Sequence, residues 1–469
     1  MPFYQPPHRP TFAATFRSFA QDPDNHLRQA LPEAVIERFA AAEGVTFGEQ
    51  DTAVYTPPVT LWAFLTQCLS ASKSCVAAVA RVLVLCVSLN RPPCAAGTGP
   101  YGKARAKLPE RFLQRLTYHV GDGLEAQAEP SWLWHGRHVK LIDGTCLSAP
   151  DTPANQQAYP QSTQQRPGLG FPMIRLVVIL TFATAALVGA AYGPCQGVLT
   201  SELALLRALR DRFGKGELAV ADRHYCSYGQ IATLQQGGVD AACRLHQQRH
   251  CDFRRGRRLG RYDHVVCWPK PPRPDWMDGV TYDRMPATLT LREVRVVVAT
   301  PGARTRALIV VTTLVDGAIY DREDIADLYH QRWHVELDIR NIKQTLSMEI
   351  LSCQTPAMLA REVWVHLLGY NLVRQTMAAA ARAAGVTPRQ LSFAGAVQTL
   401  EAFRWLLPCS AGAAFAFACR VLYLAVGTHR VGQRPDRVEP RRVKRRQQLY
   451  PLLNQPRAEA RAALLANPT

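Results

Sequence analysis

The sequence predicts an α/β protein with a helical N-terminal region, a mixed core that carries a β-rich insertion, and a helical, basic C-terminal region. Residues 1 to about 130 place apolar side chains at helical spacing. Between about 139 and 222, short β-branched runs alternate with a helical stretch. From about 240 to 315, polar and apolar residues alternate as in antiparallel strands, and helical periodicity returns at Asp321.

Length and charge limit the classes of function. A chain of 469 residues exceeds one simple core, so we expect about two to four domains. A hydrophobic content of 47% favours packed globular domains over disorder. The formal net charge of +18 indicates a polyanionic partner, with nucleic acid first and an anionic membrane surface second. The alternative is a basic surface that serves only solubility.

The cysteines and the longest apolar run bear on the compartment. Thirteen scattered cysteines, an odd number without a Cys-x-x-Cys pair, argue against a disulfide scaffold and favour a reducing cytosol. The first residues lack the charged-then-apolar pattern of a secretory signal. The run from Leu176 to Gly193 approaches the length of a membrane span. Its first half is β-branched and its second half is rich in Ala and Gly, so two buried strands joined by a tight turn fit better.

The N-terminal region is expected to form a small helical domain, residues 1–130, with an accessory or DNA-contact role. Pro32 lies near the start of one helix, since proline is favoured in the first turn. Two further helices are expected on either side of Ser72. A basic loop then leads into another helix before residue 125.

Two predicted strands each deliver an aspartate. Residues 139–142 form a short strand that ends at Asp143, and residues 218–221 form another that ends at Asp222. Between them, Ser201 is a candidate N-cap for a helix, because its hydroxyl can accept from a backbone N–H of the first turn. An aspartate at a strand end can also serve only to cap a turn.

A long amphipathic helix is predicted from Asp321, its N-cap, to about residue 350. At about 100° per residue, Tyr329, Arg332, Glu336 and Lys343 share an arc of about 60°. Such a mixed stripe is often a solvated surface. Here the helix also has a full apolar side, so the stripe is expected to face a definite partner. The apolar side consists of Leu328, Val335, Ile339, Ile342 and Leu346.

Asp143, Asp222 and Glu336 are therefore candidates for a carboxylate cluster. Hard oxygen ligands with open positions are what a pair of Mg²⁺ ions requires. Two such ions activate a water or a 3′-hydroxyl and stabilise the leaving oxygen of a phosphodiester. Asp338, on the same predicted helix, points about 200° away from Glu336 and is expected at the surface.

The cationic members of the stripe suit a phosphate. Arg332 offers a bidentate fork and Lys343 a point charge, and Tyr329 adds a hydroxyl. Arg223, directly after Asp222, is a further candidate for DNA contact, with pairing to the acidic cluster as the alternative.

The spacing Tyr-x2-Arg-x3-Glu-x6-Lys, formed by Tyr329, Arg332, Glu336 and Lys343, resembles the signature of DDE transposases of the insertion-sequence-four family. The segments "LIDGT" and "VADRHY" resemble the other two acidic motifs of that family, in the same order. The resemblance covers about residues 135–375.

This resemblance implies an RNase H-like catalytic core at 135–375, with its β-rich insertion at about 240–315. It implies cut-and-paste transposition of an insertion sequence. Asp143, Asp222 and Glu336 would hold Mg²⁺, two ions, for which Mn²⁺ could substitute. Tyr329, Arg332 and Lys343 would bind phosphates near the transposon end.

The expected partners are the transposon ends and target DNA. A homodimer is expected to bind them in a synaptic complex, and no membrane partner is expected. The expected location is cytoplasmic and nucleoid-associated. Residues 376–469 form the helical and basic C-terminal region. Some relatives stabilise a flipped base with a tryptophan of the insertion, for which Trp268 and Trp276 are candidates, although a core role is expected for each.

Other classes remain open on the sequence alone. A metal-dependent nuclease on the same core would cut without joining, and a catalytically silent, domesticated transposase would bind DNA only. The segment "CRLHQQRHC" (243–251) suggests zinc, but no second half with finger spacing follows it. The basic runs 254–261 and 441–446 are expected to contact the DNA backbone; solvated charged loops are the alternative.

Overall fold

The computed structural model describes residues 31–48, 53–70, 72–88, 92–197, 200–297, 307–403, 412–431 and 454–466. The helices of these residues are α1 Glu33–Ala42, α2 Pro57–Cys68, α3 Cys75–Ser88, α4 Gly99–Ala106, α5 Glu110–Ala126, α6 Pro153–Ala158, α7 Glu202–Arg207, α8 Tyr228–Gln236, α9 Gly279–Asp283, α10 Arg322–Gln331, α11 Trp333–Arg340, α12 Pro356–Ala383, α13 Phe393–Phe403, α14 Gly412–Thr428 and α15 Arg457–Ala466. The strands are β1 Val139–Ser148, β2 Met173–Thr181, β3 Leu187–Pro194, β4 Leu218–Ala221, β5 Asp240–Arg244, β6 Arg257–Gly260, β7 Asp263–Pro269, β8 Thr288–Val297 and β9 Ala307–Thr312.

The chain divides into two compact units, the first of 1–132, 183–188 and 338–431, and the second of 133–182, 189–337 and 432–469. The basic run 441–446 lies outside the described residues. The three-domain division expected from the sequence stays a prediction.

The first unit is helical and is built around α12, most of whose residues are buried. Helices α5 and α14 pack along it. The side-chain amide of Asn371 donates to the carbonyl oxygens of Thr117 and Leu187, both at 2.9 Å, and its oxygen accepts from the Leu187 N–H at 2.8 Å. A Cβ at Gly121 would lie 2.1 Å from the Leu187 carbonyl oxygen, so the backbones approach too closely for any other residue.

Local signals in the N-terminal sequence set the positions of the first three helices as predicted. The segment expected to form a basic loop instead contains helix α4, so that prediction was wrong. Pro32 is the N-cap residue of α1. Helices α2 and α3 lie on either side of Ser72, and the Thr56 hydroxyl accepts from the Val59 N–H to cap α2.

The second unit is built on a nine-stranded sheet of order β3-β2-β1-β4-β5-β9-β8-β7-β6. Strand β1 pairs antiparallel with β2 and parallel with β4, and β4 pairs parallel with β5. This order and these directions are those of an RNase H-like core, so the predicted fold class is confirmed. Strands β9, β8 and β7 continue the same sheet with antiparallel pairs, and β6 ends it. Strands β6 to β9 form the β-rich part that was predicted as an insertion.

The apolar run 176–193 lies in β2 and β3 and the turn between them, as predicted. In the described part of the chain, no helix has both the length and the apolar character that crossing a membrane requires.

Asp338 is buried in the first unit, and the prediction that it lies at the surface was wrong. Its side chain is 2% exposed and accepts hydrogen bonds from Arg374 and, at 3.1 Å, from Arg389. Arg374 Nε also donates to the Tyr370 hydroxyl at 2.9 Å. These partners come from α12 and the turn that follows it. The hydrophobic periodicity of the sequence around Asp338 gives no information about such distant partners.

Replacing Asp338 by alanine is expected to lower the free energy of unfolding by about 3–5 kcal/mol, because two buried guanidinium groups lose their anion. Urea denaturation measures the change. Asp327→Ala, at an exposed position of α10, is the matched control and is expected to cost less than about 0.5 kcal/mol. An equally small loss in both variants would contradict the role of the buried ion pairs.

Candidate active site

Two aspartates lie at neighbouring positions of parallel strands in the second unit. The register pairs Leu141 of β1 with Val220 of β4, and two residues further along each strand lead to Asp143 and Asp222. Because side chains alternate across a strand, both aspartates continue the face of this pair. Asp222 ends β4 as predicted, and its Oδ1 accepts from the His224 N–H at 2.7 Å.

Asp143 does not end its strand, so that part of the prediction was wrong. Strand β1 continues to Ser148 because β2 pairs with it as far as that residue. The parallel partner β4 pairs only as far as Leu141. Asp143 therefore lies where β1 has lost its parallel neighbour and is paired only with β2.

The carboxyl group of Asp143 is perturbed by its surroundings. Its pKa is raised from 3.8 to about 6, mainly by burial and in addition by the charges of Asp222 and Glu336. The Gly144 N–H, which donates to Asp143 Oδ1 at 2.8 Å, and the Arg332 guanidinium act in the opposite direction. The three predicted carboxylates are therefore close enough to interact electrostatically.

The predicted helix from Asp321 is interrupted, so the prediction of one continuous helix was wrong. Its N-cap is as predicted: the Asp321 side chain accepts from the Asp324 N–H in a capping box. Helix α10 ends at Gln331. Around Arg332 the hydrogen bonds span three residues instead of four: the Arg332 N–H donates to the Tyr329 carbonyl oxygen, and the Val335 N–H to that of Arg332. A π-helical segment, Asn341–Thr345, follows α11.

Arg332 lies at this interruption and contacts two of the three carboxylates. Its Nη2 donates to Glu336 Oε1 at 2.6 Å, and its Nη1 lies 3.8 Å from Asp143 Oδ2. The guanidinium also lies 6.0 Å from the ring centroid of Tyr329, which is buried. Burial raises the pKa of the Tyr329 hydroxyl, so Tyr329 is a neutral hydrogen-bonding group.

The other two predicted cations lie on other segments of the chain. Arg223 is exposed on the 3₁₀ turn that follows Asp222. Lys343 lies in the π-helical segment, within the first unit, where its Nζ is 3.3 Å from Glu349 Oε1. A π turn does not rotate by 100° per residue as an α-helix does. The prediction that Lys343 shares an arc with Tyr329, Arg332 and Glu336 therefore does not apply.

Glu202 is a fourth carboxylate at the site, and the sequence reasoning missed it. A Cβ at Gly144, the residue after Asp143, would lie 2.6 Å from its carboxyl group, so the Glu202 side chain would have to move for any larger residue there. The Tyr225 hydroxyl donates to Glu202 Oε2 at 3.2 Å. Burial raises the pKa of Tyr225, as do Glu202, Asp143 and Asp222. The acidic residue after the predicted cap of α7 was the available signal, but such residues usually serve the helix alone.

The donor set fits divalent metal ions. The carboxylates of Asp143, Asp222 and Glu336 are hard oxygen ligands, and a cation would offset the burial and the repulsion that raise the Asp143 pKa. Their oxygens do not all lie within 4.8 Å of one another. Arg332 neutralises Asp143 and Glu336 in this arrangement.

An acidic site beside the parallel strands of such a sheet places the chain in the broad class of RNase H-like proteins. Residues 134–372, just over half of the chain, match the family model described as the transposase DDE domain. The chain belongs to the DDE transposase family. Membership implies dependence on a divalent metal ion.

Two individual proteins are also similar to this chain. The chain is 28% identical over 296 residues to the transposase InsG for insertion sequence element IS4 of Escherichia coli (strain K12). That match covers 62% of this chain and 64% of InsG, less than two thirds of its length. A cryo-EM structure of the piggyBac transposase synaptic complex with hairpin DNA has 11% identity and a TM-score of 0.40, covering 92% of this chain and 88% of that one.

In metal-free buffer, ionisation of Asp143 is expected to destabilise the fold. Its folded-state pKa of about 6 exceeds the ordinary 3.8, so the folded state retains a proton that the unfolded state releases. The stabilisation is complete below about pH 3.8 and is lost as the pH rises through about 6. At about 1.4 kcal/mol per pKa unit, the loss is about 3 kcal/mol.

Urea denaturation in EDTA, between about pH 4 and pH 8, measures this step. Asp143→Asn should remove it, because the amide does not titrate. The same pH dependence in both proteins would show that another group is responsible.

Proposed function

We propose that the protein is a DNA transposase that cleaves and joins strands in the cut-and-paste transposition of an insertion sequence. The observation that carries the proposal is the electrostatic cluster of Asp143, Asp222 and Glu336, bridged by Arg332, within the family match. It is the kind of acidic site that phosphodiester chemistry with metal ions requires.

Asp143, Asp222 and Glu336 would hold the metal, as both ligands and catalytic residues. We propose Mg²⁺, with Mn²⁺ as a substitute, and two ions. When bound, such ions activate a water or a 3′-hydroxyl and stabilise the leaving oxygen. The raised pKa of Asp143 supports this role, because a carboxylate destabilised by burial and by like charges gains most from a cation.

The cations of the signature would bind the DNA phosphates. Arg332 contacts Glu336 and Asp143. Once metal ions neutralise these carboxylates, its guanidinium would be free to bind a DNA phosphate in a bidentate contact. Tyr329, held neutral beside it, supplies a hydroxyl. Lys343 would add a single charged contact to the DNA backbone, and Arg223 a bidentate one.

The wider DNA contacts would come from the basic surface. The net charge of +18 favours a polyanion, and the exposed arginines of the run 254–261 suit its phosphates. Bringing two transposon ends together requires two active sites, so we expect a homodimer on paired ends.

Trp276 is the better candidate for a tryptophan that stacks on an unpaired base. It is 45% exposed, contrary to the core position expected for it, whereas Trp268 is 6% exposed and donates to Glu293 Oε1 as expected of a core residue. Trp276 borders a cavity of about 410 Å³ that His224 also lines, two residues from Asp222. The Arg207 guanidinium lies 3.9 Å from the Trp276 ring centroid. An aromatic face beside cations suits a nucleobase and its phosphate.

Trp276→Ala is expected to weaken stacking by about 1–3 kcal/mol, the usual contribution of one base–aromatic contact. Fluorescence of 2-aminopurine in the terminal bases of the element measures the unstacking. Trp276→Phe keeps an aromatic face and is the control. Equal fluorescence in Trp276→Ala and Trp276→Phe would exclude Trp276 from this role.

The direct test is Glu336→Gln. A plasmid that carries the reading frame with its native flanking DNA reports excision and strand joining. The variant is expected to lower excision at least about a hundredfold, or about 2.7 kcal/mol, because an amide is a poor ligand for a hard cation. Glu323→Gln, exposed in the first turn of α10, is the matched control. Binding to flanking DNA should persist in both.

The same assay separates the alternatives. Cleavage of the plasmid without any joined product would favour a metal-dependent nuclease. Binding without cleavage, with or without Mg²⁺, would favour a silent, domesticated protein. Wild-type excision by Glu336→Gln would remove Glu336 from the site.

A further inference from the structure

A second group of potential metal ligands lies in the second unit, on β7 and β8. His264 of β7 is the direct cross-strand partner of Glu293 of β8. Their Nε2 and Oε2 atoms are 3.0 Å apart, and Cys251 Sγ lies 3.6 Å from the same Nε2. All three ligand atoms lie within 4.8 Å of one another. The sulfur, nitrogen and oxygen thus converge on one point.

The imidazole of His264 is oriented as a ligand. Its Nδ1 lies 2.6 Å from the carbonyl oxygen of Arg255, which can only accept, so Nδ1 carries a proton. In the neutral ring the lone pair is then on Nε2 and points toward Glu293 and Cys251. Histidines that bind metals usually donate their other N–H to a carbonyl or a carboxylate in this way.

The separations of the three ligand atoms match tetrahedral zinc coordination. Bonds of about 2.3 Å to sulfur and about 2.0–2.1 Å to nitrogen and oxygen place sulfur about 3.6 Å from nitrogen, and nitrogen about 3.3 Å from oxygen. The corresponding separations here are 3.6 Å and 3.0 Å. Small shifts of the side chains would therefore complete the geometry.

Burial makes a cation favourable at this position. His264 and Glu293 are 1% and 4% exposed. Glu293 Oε1 accepts from the Trp268 indole at 3.0 Å, and its Oε2 faces His264 and Cys251. A buried carboxylate requires a positive partner. Either an imidazolium or a metal ion can supply that charge. The metal would also take the sulfur as a ligand, in place of the hydrogen bond that the Cys251 thiol makes with the Glu293 carboxylate.

We propose that Cys251 Sγ, His264 Nε2 and Glu293 Oε2 bind one Zn²⁺ ion, with water as the fourth ligand. Cys251 is partly exposed, which gives the ion and the water a route in. Binding releases the thiol proton, because the thiolate is the ligand. The proposal concerns a site apart from the acidic cluster, whose oxygen ligands suit a harder ion.

The ion would anchor an arginine-rich turn to the sheet. Cys251 directly precedes the turn, and the side chains of Arg254 and Arg255 on it are 90% and 85% exposed. Fixing one end of the turn would lower the entropy lost when these arginines contact a DNA backbone. The segment 243–251, considered for zinc from the sequence, contributes only Cys251, because Cys243 is buried in strand β5.

The test uses the full chain, stripped of metal and titrated with Co²⁺ in the presence of excess Mg²⁺. A thiolate-to-cobalt charge-transfer band is expected at about one Co²⁺ per chain, and Zn²⁺ should abolish it by replacement. The band reports a sulfur ligand, which the acidic cluster does not offer. Zinc should also raise the melting temperature of the wild type.

Cys251→Ser is expected to abolish the band and the rise in melting temperature. Cys267→Ser, an exposed thiol on the same strand as His264, is the matched control and should keep both. The wild-type titration does not depend on the folding of any variant. No band in the wild type would overturn the proposal and leave His264 and Glu293 as a buried ion pair.

A band that persists in Cys251→Ser would also overturn it. The metal would then be sought at Cys68, Glu362 and His366 of the first unit, the other group whose ligand atoms lie within 4.8 Å among the described residues. That group is the weaker candidate, because the Glu362 carboxylate already accepts hydrogen bonds from Ser352 and from the Cys353 N–H.

Discussion

The bridge that Arg332 forms between Glu336 and Asp143 is the interaction on which the acidic site depends. Burial and the neighbouring charges of Asp222 and Glu336 all disfavour the ionised form of Asp143. One guanidinium offsets this repulsion and ties the helix to the strand at the same time. The repulsion between the three carboxylates is therefore offset by the Arg332 guanidinium of the protein itself. This guanidinium must move if metal ions are to neutralise the carboxylates in its place.

The sheet explains why these charges meet. Parallel pairing of β1 with β4 brings Asp143 and Asp222 to neighbouring positions, and the end of β4 frees one side of β1. The strands of the insertion continue the same sheet, where His264 and Glu293 face each other across an antiparallel pair. One sheet thus carries two donor sets of different hardness, with oxygen ligands near β1 and β4 and a mixed set near β7 and β8.

Part of the positive charge is used inside the protein and does not reach the surface. Arg374 and Arg389 neutralise Asp338, and Arg292 of β8 pairs with Asp263 of β7 in a buried contact of 2.6 Å. A guanidinium that is buried with its carboxylate adds nothing to a field that attracts DNA. The exposed arginines around residue 254 are therefore better evidence for a polyanionic partner than the net charge of the whole chain.

The sequence by itself determined the features that arise from short-range physics. Helical and strand periodicity, the cap at Asp321, the strand that ends at Asp222 and the spacing of Arg332 and Glu336 are all local, so they could be predicted. Only the tertiary structure decided the features that depend on distant segments. It buried Asp338 between later arginines, brought Glu202 beside Gly144, and grouped Cys251 with residues from two following strands. Periodicity reports which face of an element is apolar, but it does not report which other element covers a polar side chain, because that depends on how the chain folds back on itself.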